Sequence, residues 1–261
     1  MRLADLRLRV VFCLSLVAPA LVSNGFSAGT VQETFEKEIP LTAEGRFELH
    51  NVTGSVRIAG WDKPSVRIHA VKSAANAHDL AAIQIMTKSK PDRLVLETKL
   101  PKKGAKQWEE SNSLSVEYEI QVPAECHLEG IHTVNGDIAV AGVSGKMVVS
   151  TVNGRITAKD LASDSTLKSI NGDLEARPER LTSMKTMSLA TINGQITIVL
   201  PAKPDARIQA STLTGAISSG ELKAASSHGA GQKLGQQLGF GGTQIKAKTL
   251  NGNIRVERKS S

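Results

Sequence analysis

The sequence predicts an all-β chain wound as a parallel β-solenoid, a β-helix-like coil of repeats about 18–22 residues long. Three observations carry that expectation. A short unit recurs: "HTVNGDIAV" at 132–140 returns as "STVNGRITA", "KSINGDLEA", "ATINGQITI" and "KTLNGNIRV". The glycines of the unit, Gly136, Gly154, Gly172, Gly194, Gly215 and Gly252, are separated by 18, 18, 22, 21 and 37 residues, and a period near 20 signals stacked repeats. Of the 261 residues 40% are hydrophobic but only 3% aromatic. A core of Val, Ile, Leu and Ala suits a thin regular coil better than a thick sandwich.

From the N-terminus, "MRLADLRLRV" carries Arg2, Arg7 and Arg9, an apolar run follows from Val10 to Ala18, and small residues close the segment. These are the three parts of a secretory signal peptide, expected over residues 1–28. Cleavage after Ala28 is preferred to Ala20, because the strand-like "TVQETFEKEIP" begins just beyond it. The apolar run is shorter than the roughly 20 residues that span a bilayer, so no transmembrane segment is expected after cleavage. Cys13 leaves with the leader, and Cys126 is then the only cysteine, expected as a buried structural thiol. Net charge falls from +7 to about +5, since residues 1–28 hold three Arg against Asp5.

Residues 29–125 are expected to be antiparallel strands that lead into the coil and cap it. "GRFELHNVTGSVRIAGWDKPSVRIHAV", "DRLVLETKL" and "LSVEYEIQVP" alternate apolar with polar residues. Only 75–86, "ANAHDLAAIQIM", has a helical pattern. The basic stretch 98–108 is expected as a solvated loop; a contact for anionic envelope polymers or lipid head groups is the sharper alternative.

Residues 126–261 are expected to form the coil itself. Asn-Gly between alternating apolar residues is, taken alone, the strongest short-range hairpin signal. The longer register favours the coil. At an offset of 18, Ile138 falls on Ile156 and Leu174, Val140 on Ala158 and Ala176, Val143 on Leu161, Val149 on Leu167, and Val152 on Ile170. Hairpins do not require matched apolar positions across the whole interval. A coil does, because each residue lies about 4.8 Å above its equivalent. The expected corners are Asn135 and Gly136, Asn153 and Gly154, Asn171 and Gly172, Asn193 and Gly194, and Asn251 and Gly252. Stacked asparagines form an amide ladder, with glycine supplying left-handed backbone for the turn. Val134 and Ile138 are expected in the core. Thr214 replaces Asn in "TLTGAI", so the ladder is expected to break there. The Gly-rich stretch 226–244 is expected as a flexible excursion between residues 221–224 and the last strand pair; it lacks the Gly-Lys-Ser/Thr ending of a P-loop.

"FELHNVTGSVRIAGWDKPSVRIHAVKSA", the serial T-[VIL]-N-G-x-[IL] units and the Gly-rich stretch before "KTLNGNIRV" resemble the bacterial "putative adhesin" β-strand repeat family, a domain of unknown function. The resemblance covers roughly residues 30–258. It implies an exported, β-solenoid-like envelope domain, periplasmic, cell-surface or extracellular, sometimes tied to envelope-stress systems. It carries over no catalytic residue.

The sequence offers little chemistry of its own, and no catalytic, cofactor-binding or metal-binding residue is assigned. The residues after the corner glycines, Asp137, Arg155 and Asp173 among them, are expected to form a surface column. Two carboxylates about 9.6 Å apart approach the spacing of a glycosidase pair, but no aromatic sugar platform accompanies them. The six histidines (His50, His69, His78, His127, His132 and His228) show no metal-ligand spacing, and no Gly-x-Ser-x-Gly elbow occurs. Few aromatics and an export signal argue against nucleic acid as a partner. Short strands without aromatic girdles argue against a membrane barrel. Two functions remain: a noncatalytic envelope protein that binds a surface polymer or a protein partner, and, as the alternative, a polysaccharide-active enzyme on a β-helix.

Overall fold

The computed structural model describes residues 30–101, 114–219, 226–227 and 231–259. The signal-peptide segment with Cys13, most of the basic stretch 98–108, residues 221–224 and His228 lie outside the described residues.

The first half holds β1 (Val31–Pro40), β2 (Arg46–His50), β3 (Val56–Trp61), β4 (Ser65–Ala74), α1 (Ala77–Ala82), β5 (Gln84–Lys90), β6 (Arg93–Lys99) and β7 (Ser115–Pro123). The Asn-Gly units come next as strand pairs: β8 (His127–Asn135) with β9 (Ile138–Ala141), β10 (Met147–Asn153) with β11 (Ile156–Leu161), β12 (Ser165–Lys168) with β13 (Leu174–Pro178), and β14 (Thr186–Ala190) with β15 (Ile196–Leu200). The chain closes with β16 (Ala206–Thr214), β17 (Ile217–Ser218), β18 (Ser226–Ser227), β19 (Gln232–Leu238), β20 (Thr243–Asn251) and β21 (Ile254–Arg258).

Among the described residues these strands make two sheets. One runs β1-β4-β7-β3-β9-β11-β13-β15-β21-β17, the other β18-β19-β16-β20-β14-β12-β10-β8-β2-β6-β5. Each rung of the coil places one strand in each sheet and turns between them at the Asn-Gly corner. Rungs pair in parallel and in register: Ile138 opposes Ile156, then Leu174, Ile196 and Ile254 continue the line. Ile131, Val149, Leu167, Leu189 and Ala247 form the facing line in the second sheet. Both lines point inward and are buried. A strand exposes one side chain in two to each face, so the T-[VIL]-N-G units fill the core with one half of their residues and leave the other half outside.

The rungs do not stack in chain order. β2 and β3 form one rung, and the later pair β6 and β7 lies on its outer side. At the other end β20 and β21 are inserted between the β14–β15 rung and the β16–β17 rung. The long interval from Gly215 to Gly252 is the detour this insertion requires.

Three expectations need correction here. The antiparallel reading of 29–125 holds for β1 against β4, β4 against β7, and β5 against β6. β2, β3, β6 and β7, however, are rungs paired in parallel with the coil, because "HNVTGSVRI" already carries the apolar register of a repeat. The helical pattern at 75–86 yields only α1, capped by Asn76, whose side chain accepts the Asp79 N–H at 2.9 Å. Its single buried residue is Leu80, and Gln84 to Met86 join β5 instead. The Gly-rich stretch is not irregular throughout. Gln232–Leu238 form β19, antiparallel to β16, and bury Leu234 and Leu238. Gly235 sits exposed at that strand with open space where a Cβ would point, so glycine costs β19 little beyond backbone entropy. Together with β18 it covers one end of the second sheet, as β5 covers the other, and so limits exposed edges.

Candidate functional site

The corner that joins the sheets is built from four stacked columns. In the first, the asparagine amides bond head to tail: Asn153 Nδ2 donates to Asn135 Oδ1 at 2.7 Å, Asn171 to Asn153 at 2.9 Å, Asn193 to Asn171 at 2.8 Å, and Asn251 to Asn193 at 2.8 Å. The expected break at Thr214 does not occur inside the ladder. Thr214 opposes Asn251 in the last rung, and Thr53 opposes Asn135 at the other end. The two threonines bound the ladder.

The second column is glycine, and the reason read in the sequence covers part of it. Gly54, Gly154, Gly215 and Gly252 adopt positive φ, +121°, +158°, +141° and +153°. The feature shared by all the rungs is close approach. A Cβ on Gly136 would lie 2.1 Å from the Gly54 carbonyl oxygen, one on Gly172 1.8 Å from that of Gly154, and one on Gly252 2.0 Å from that of Gly194. Backbone stacks on backbone with no room for a side chain.

A third column of buried hydroxyls ties these carbonyls down. Thr151, Ser169, Thr191, Thr249 and Thr212 donate to the carbonyls of Gly136, Gly154, Gly172, Gly194 and Gly252 at 2.8 to 3.3 Å. Thr133 is the exception. Asn51 Nδ2 takes the Gly54 oxygen at 3.2 Å, and the Thr133 hydroxyl is buried without a hydrogen-bond partner.

Asp137, Arg155 and Asp173 stand in the fourth column. Asp137 Oδ1 accepts the Arg155 N–H at 2.8 Å, and Asp173 Oδ1 accepts the Gln195 N–H at 2.9 Å. Arg155 Nη2 reaches Asp173 Oδ2 at 3.3 Å across exposed surface. Each carboxylate thus spends one oxygen on the backbone of the next rung. Asn253 does the same for the Ala216 N–H at 2.9 Å, which marks the arrangement as a corner device that an amide serves equally well.

The residue before each ladder position points outward. Val134, expected in the core, is 40% exposed, and Ile170, Ile192, Leu250 and Leu213 are 43 to 52% exposed. Its inward neighbour Thr133 takes the buried place, so the alternation is shifted by one from the expectation. With Val52 and Val152 the column is aliphatic in all seven rungs that carry the unit. Beside it, in strand order, lie His50, His132, Ser150, Lys168, Ala190, Lys248 and Ser211. Between the columns the surface forms an open trough of 710 Å³ lined by Val134, Ile170, Ile192, Leu250, Lys168 and Lys248 among others, with no acidic residue in its wall.

Sequence reasoning missed this trough and the histidine pair at its end. His50 and His132 stack with ring centroids 5.3 Å apart, and His132 Nδ1 meets the Ser150 hydroxyl. Burial, and then the neighbouring His50, hold the His132 pKa below its ordinary value. The signal was present, since "HNVTG" and "HTVNG" align His50 with His132. Cys126 is buried on the core side, and burial pushes its thiol up to about 12. Among the described residues no group of three or more His, Cys, Asp or Glu is arranged to hold a metal ion, and no helix is long and apolar enough to cross a membrane.

No curated protein matches the chain. Solved structures do. A "putative cell adhesion protein" from Clostridium sporogenes aligns over 87% of this chain and 100% of its own, with a TM-score of 0.50 at 16% identity. A "putative adhesin" from Bacteroides fragilis aligns over 87% and 97%, with a TM-score of 0.41 at 12% identity. The first likeness is one of fold; the second is too distant to add to it. Residues 125–257 match the family described as Toastrack DUF4097. With half of its residues in that match and its stacked parallel rungs, the chain belongs to the Toastrack DUF4097 family, a domain of unknown function.

Proposed function

We propose that this chain is an exported, noncatalytic protein of the bacterial envelope, whose adhesin-like repeat domain binds a surface polymer or a protein partner along the aliphatic flank. One observation carries the reading: seven rungs place an aliphatic side chain at the same outward position, while the column on the side away from the amide ladder runs through His, Ser, Lys and Ala. An exposed apolar stripe of this extent marks an interaction surface more often than a bare scaffold. The leader-like N-terminus supports export. The family resemblance supports looking for the partner under envelope-damaging conditions. The enzyme alternative loses its motive, because Asp137 and Asp173 serve the backbone of neighbouring rungs.

In-cell photocrosslinking tests the proposal. A photoreactive residue at Ile170 is expected to give a discrete adduct, while one at Thr197, on the outer face of the other sheet, gives none. Absence of any adduct from Ile170, in cells where the protein fails to fractionate with wall or membrane, overturns the reading. Glycan turnover that is abolished by Asp137→Ala combined with Asp173→Ala would restore the enzyme.

A further inference from the structure

We infer that the partner of this trough is an acidic amphipathic helix lying along the axis of the coil. The inference rests on the proposal that the trough is a binding site; its shape, pitch, length and charge identify the occupant.

Between the aliphatic column and the lysine side lies a shallow volume open to solvent, lined from His132 and Val134 to Lys248 and Leu250. A flat bilayer rests on protrusions, so it would leave such a trough empty. A single acyl chain needs about 70–90% enclosure for tight binding, which an open trough does not supply. A cylinder laid lengthwise fills it. The face presents side chains only, because the backbone of these central strands is already paired on both sides. Strand addition therefore does not operate here, and helix-in-groove binding does.

The pitch agrees. Aliphatic side chains recur every ~4.8 Å along the axis, and a helix turns every ~5.4 Å. Apolar residues at positions i, i+3, i+4 and i+7 of a helix therefore drop between successive ridges, and drift by only about half a rung over four turns. The trough covers four strand spacings from Val134 through Val152, Ile170 and Ile192 to Leu250, roughly 19 Å, and the aliphatic column continues one spacing further to Leu213, roughly 24 Å in all. That length matches about 16 helical residues.

Charge sets the remaining chemistry. Lys168 opposes Ala190, which opposes Lys248, so the two stems stand two spacings, ~9.6 Å, apart. The i to i+7 rise of a helix is ~10.5 Å. Among the described residues neither lysine has an acidic partner. The opposite bank is the aliphatic column, and beyond it lies the neutral amide ladder. The trough thus asks for an apolar ridge with carboxylates on one flank, spaced by two turns.

The test uses the full chain and three synthetic 16-residue peptides, read by fluorescence anisotropy. One carries a Leu ridge with Glu at i and i+7 on the flank, the second carries Lys at those positions, and the third is the Glu peptide interrupted by two prolines. The Glu peptide is expected to bind, and the Lys peptide about 25-fold more weakly, from roughly fivefold for each of two ion pairs. The Pro-interrupted peptide is expected not to bind. The exposed double variant Lys168→Glu with Lys248→Glu, with an unchanged circular dichroism spectrum, is expected to invert the preference. Equal binding of the Glu and Lys peptides overturns the inference. So does binding of the proline peptide, an unchanged preference in the double variant, or attachment only to vesicles of phosphatidylcholine and phosphatidylglycerol. If no peptide binds while Ile170 still crosslinks in cells, the helix falls and the binding flank stands; if crosslinking fails as well, both fall.

Discussion

Replacing Gly172 by Ala isolates the close approach at the corner from everything else. The new Cβ would sit 1.8 Å from the Gly154 carbonyl oxygen. Relief to ordinary contact needs the two rungs to separate by roughly 1.6 Å at that point. Four of the hydrogen bonds that span the gap lie at the corner itself: Gly154 N to Asn171 O at 3.0 Å, Asn171 N to Val152 O at 2.7 Å, Asn171 Nδ2 to Asn153 Oδ1 at 2.9 Å, and Ser169 Oγ to Gly154 O at 3.3 Å. Opening by that amount takes three or four of them beyond bonding distance. At about 1 kcal/mol each, the variant is expected to lose about 3–4 kcal/mol of stability, among the larger effects seen for single substitutions. Gly235→Ala is the matched control. Nothing lies within 4 Å of its Cβ position, and loss of unfolded-state freedom is expected to stabilise by about 0.4–1 kcal/mol. Equilibrium urea unfolding, followed by circular dichroism, measures both. A cost below about 1 kcal/mol for Gly172→Ala would refute the stacking account of the glycine column.

The hydroxyl column makes a second contrast. Thr191→Val removes the bond to the Gly172 carbonyl and is expected to cost about 1 kcal/mol, whereas Thr133→Val removes a hydroxyl with no partner and is expected to be neutral or stabilising in the same urea titration. Tyr118 is buried, and burial outweighs its 2.7 Å hydrogen bond to Thr98 to raise its pKa from 10.0 to about 12. The unfolded phenol ionises first, so stability is expected to be full below pH 10 and to fall by about 2–3 kcal/mol by pH 12; Tyr118→Phe flattens that slope in urea titrations across this range. Cys126, buried with its pKa pushed up to about 12, is expected to resist iodoacetamide at pH 8 in the native protein and to react once urea unfolds it, as read by peptide mass spectrometry.

The coil was legible because stacking forces equivalent residues into line. Ile138, Ile156 and Leu174 could be paired from their spacing alone, and they oppose one another in the sheet. Spacing reports only chain order, however. It gave no sign that β20 and β21 insert below β16 and β17, and so Thr214 looked like a break when it is a terminus. The face assignment of Val134 failed for a local reason. In the other rungs a buried Ser or Thr hydroxyl bonded to a stacked carbonyl takes this inward position, and Thr133 holds the same place although its own hydroxyl has no partner, whereas hydrophobic pattern alone awards the position to the valine beside it. The same slip hid the trough. Once threonine is placed inward, the aliphatic residue of every T-[VIL]-N-G unit turns outward, and the candidate site can be read directly from the repeat.

The out-of-order stacking at both ends has a consequence for how such a chain changes length. A solenoid wound in chain order can gain or lose a terminal repeat without disturbing the rest. Here the terminal rungs are interlocked: the last strands written are wedged between two earlier rungs, and the first rung is overlaid by the second. A repeat added after β21 would meet β16 and β17 already in its place. Only the middle, from β8 to β15, is wound in simple succession, so lengthening or shortening is confined to those rungs, and both ends act as fixed clasps around a variable span.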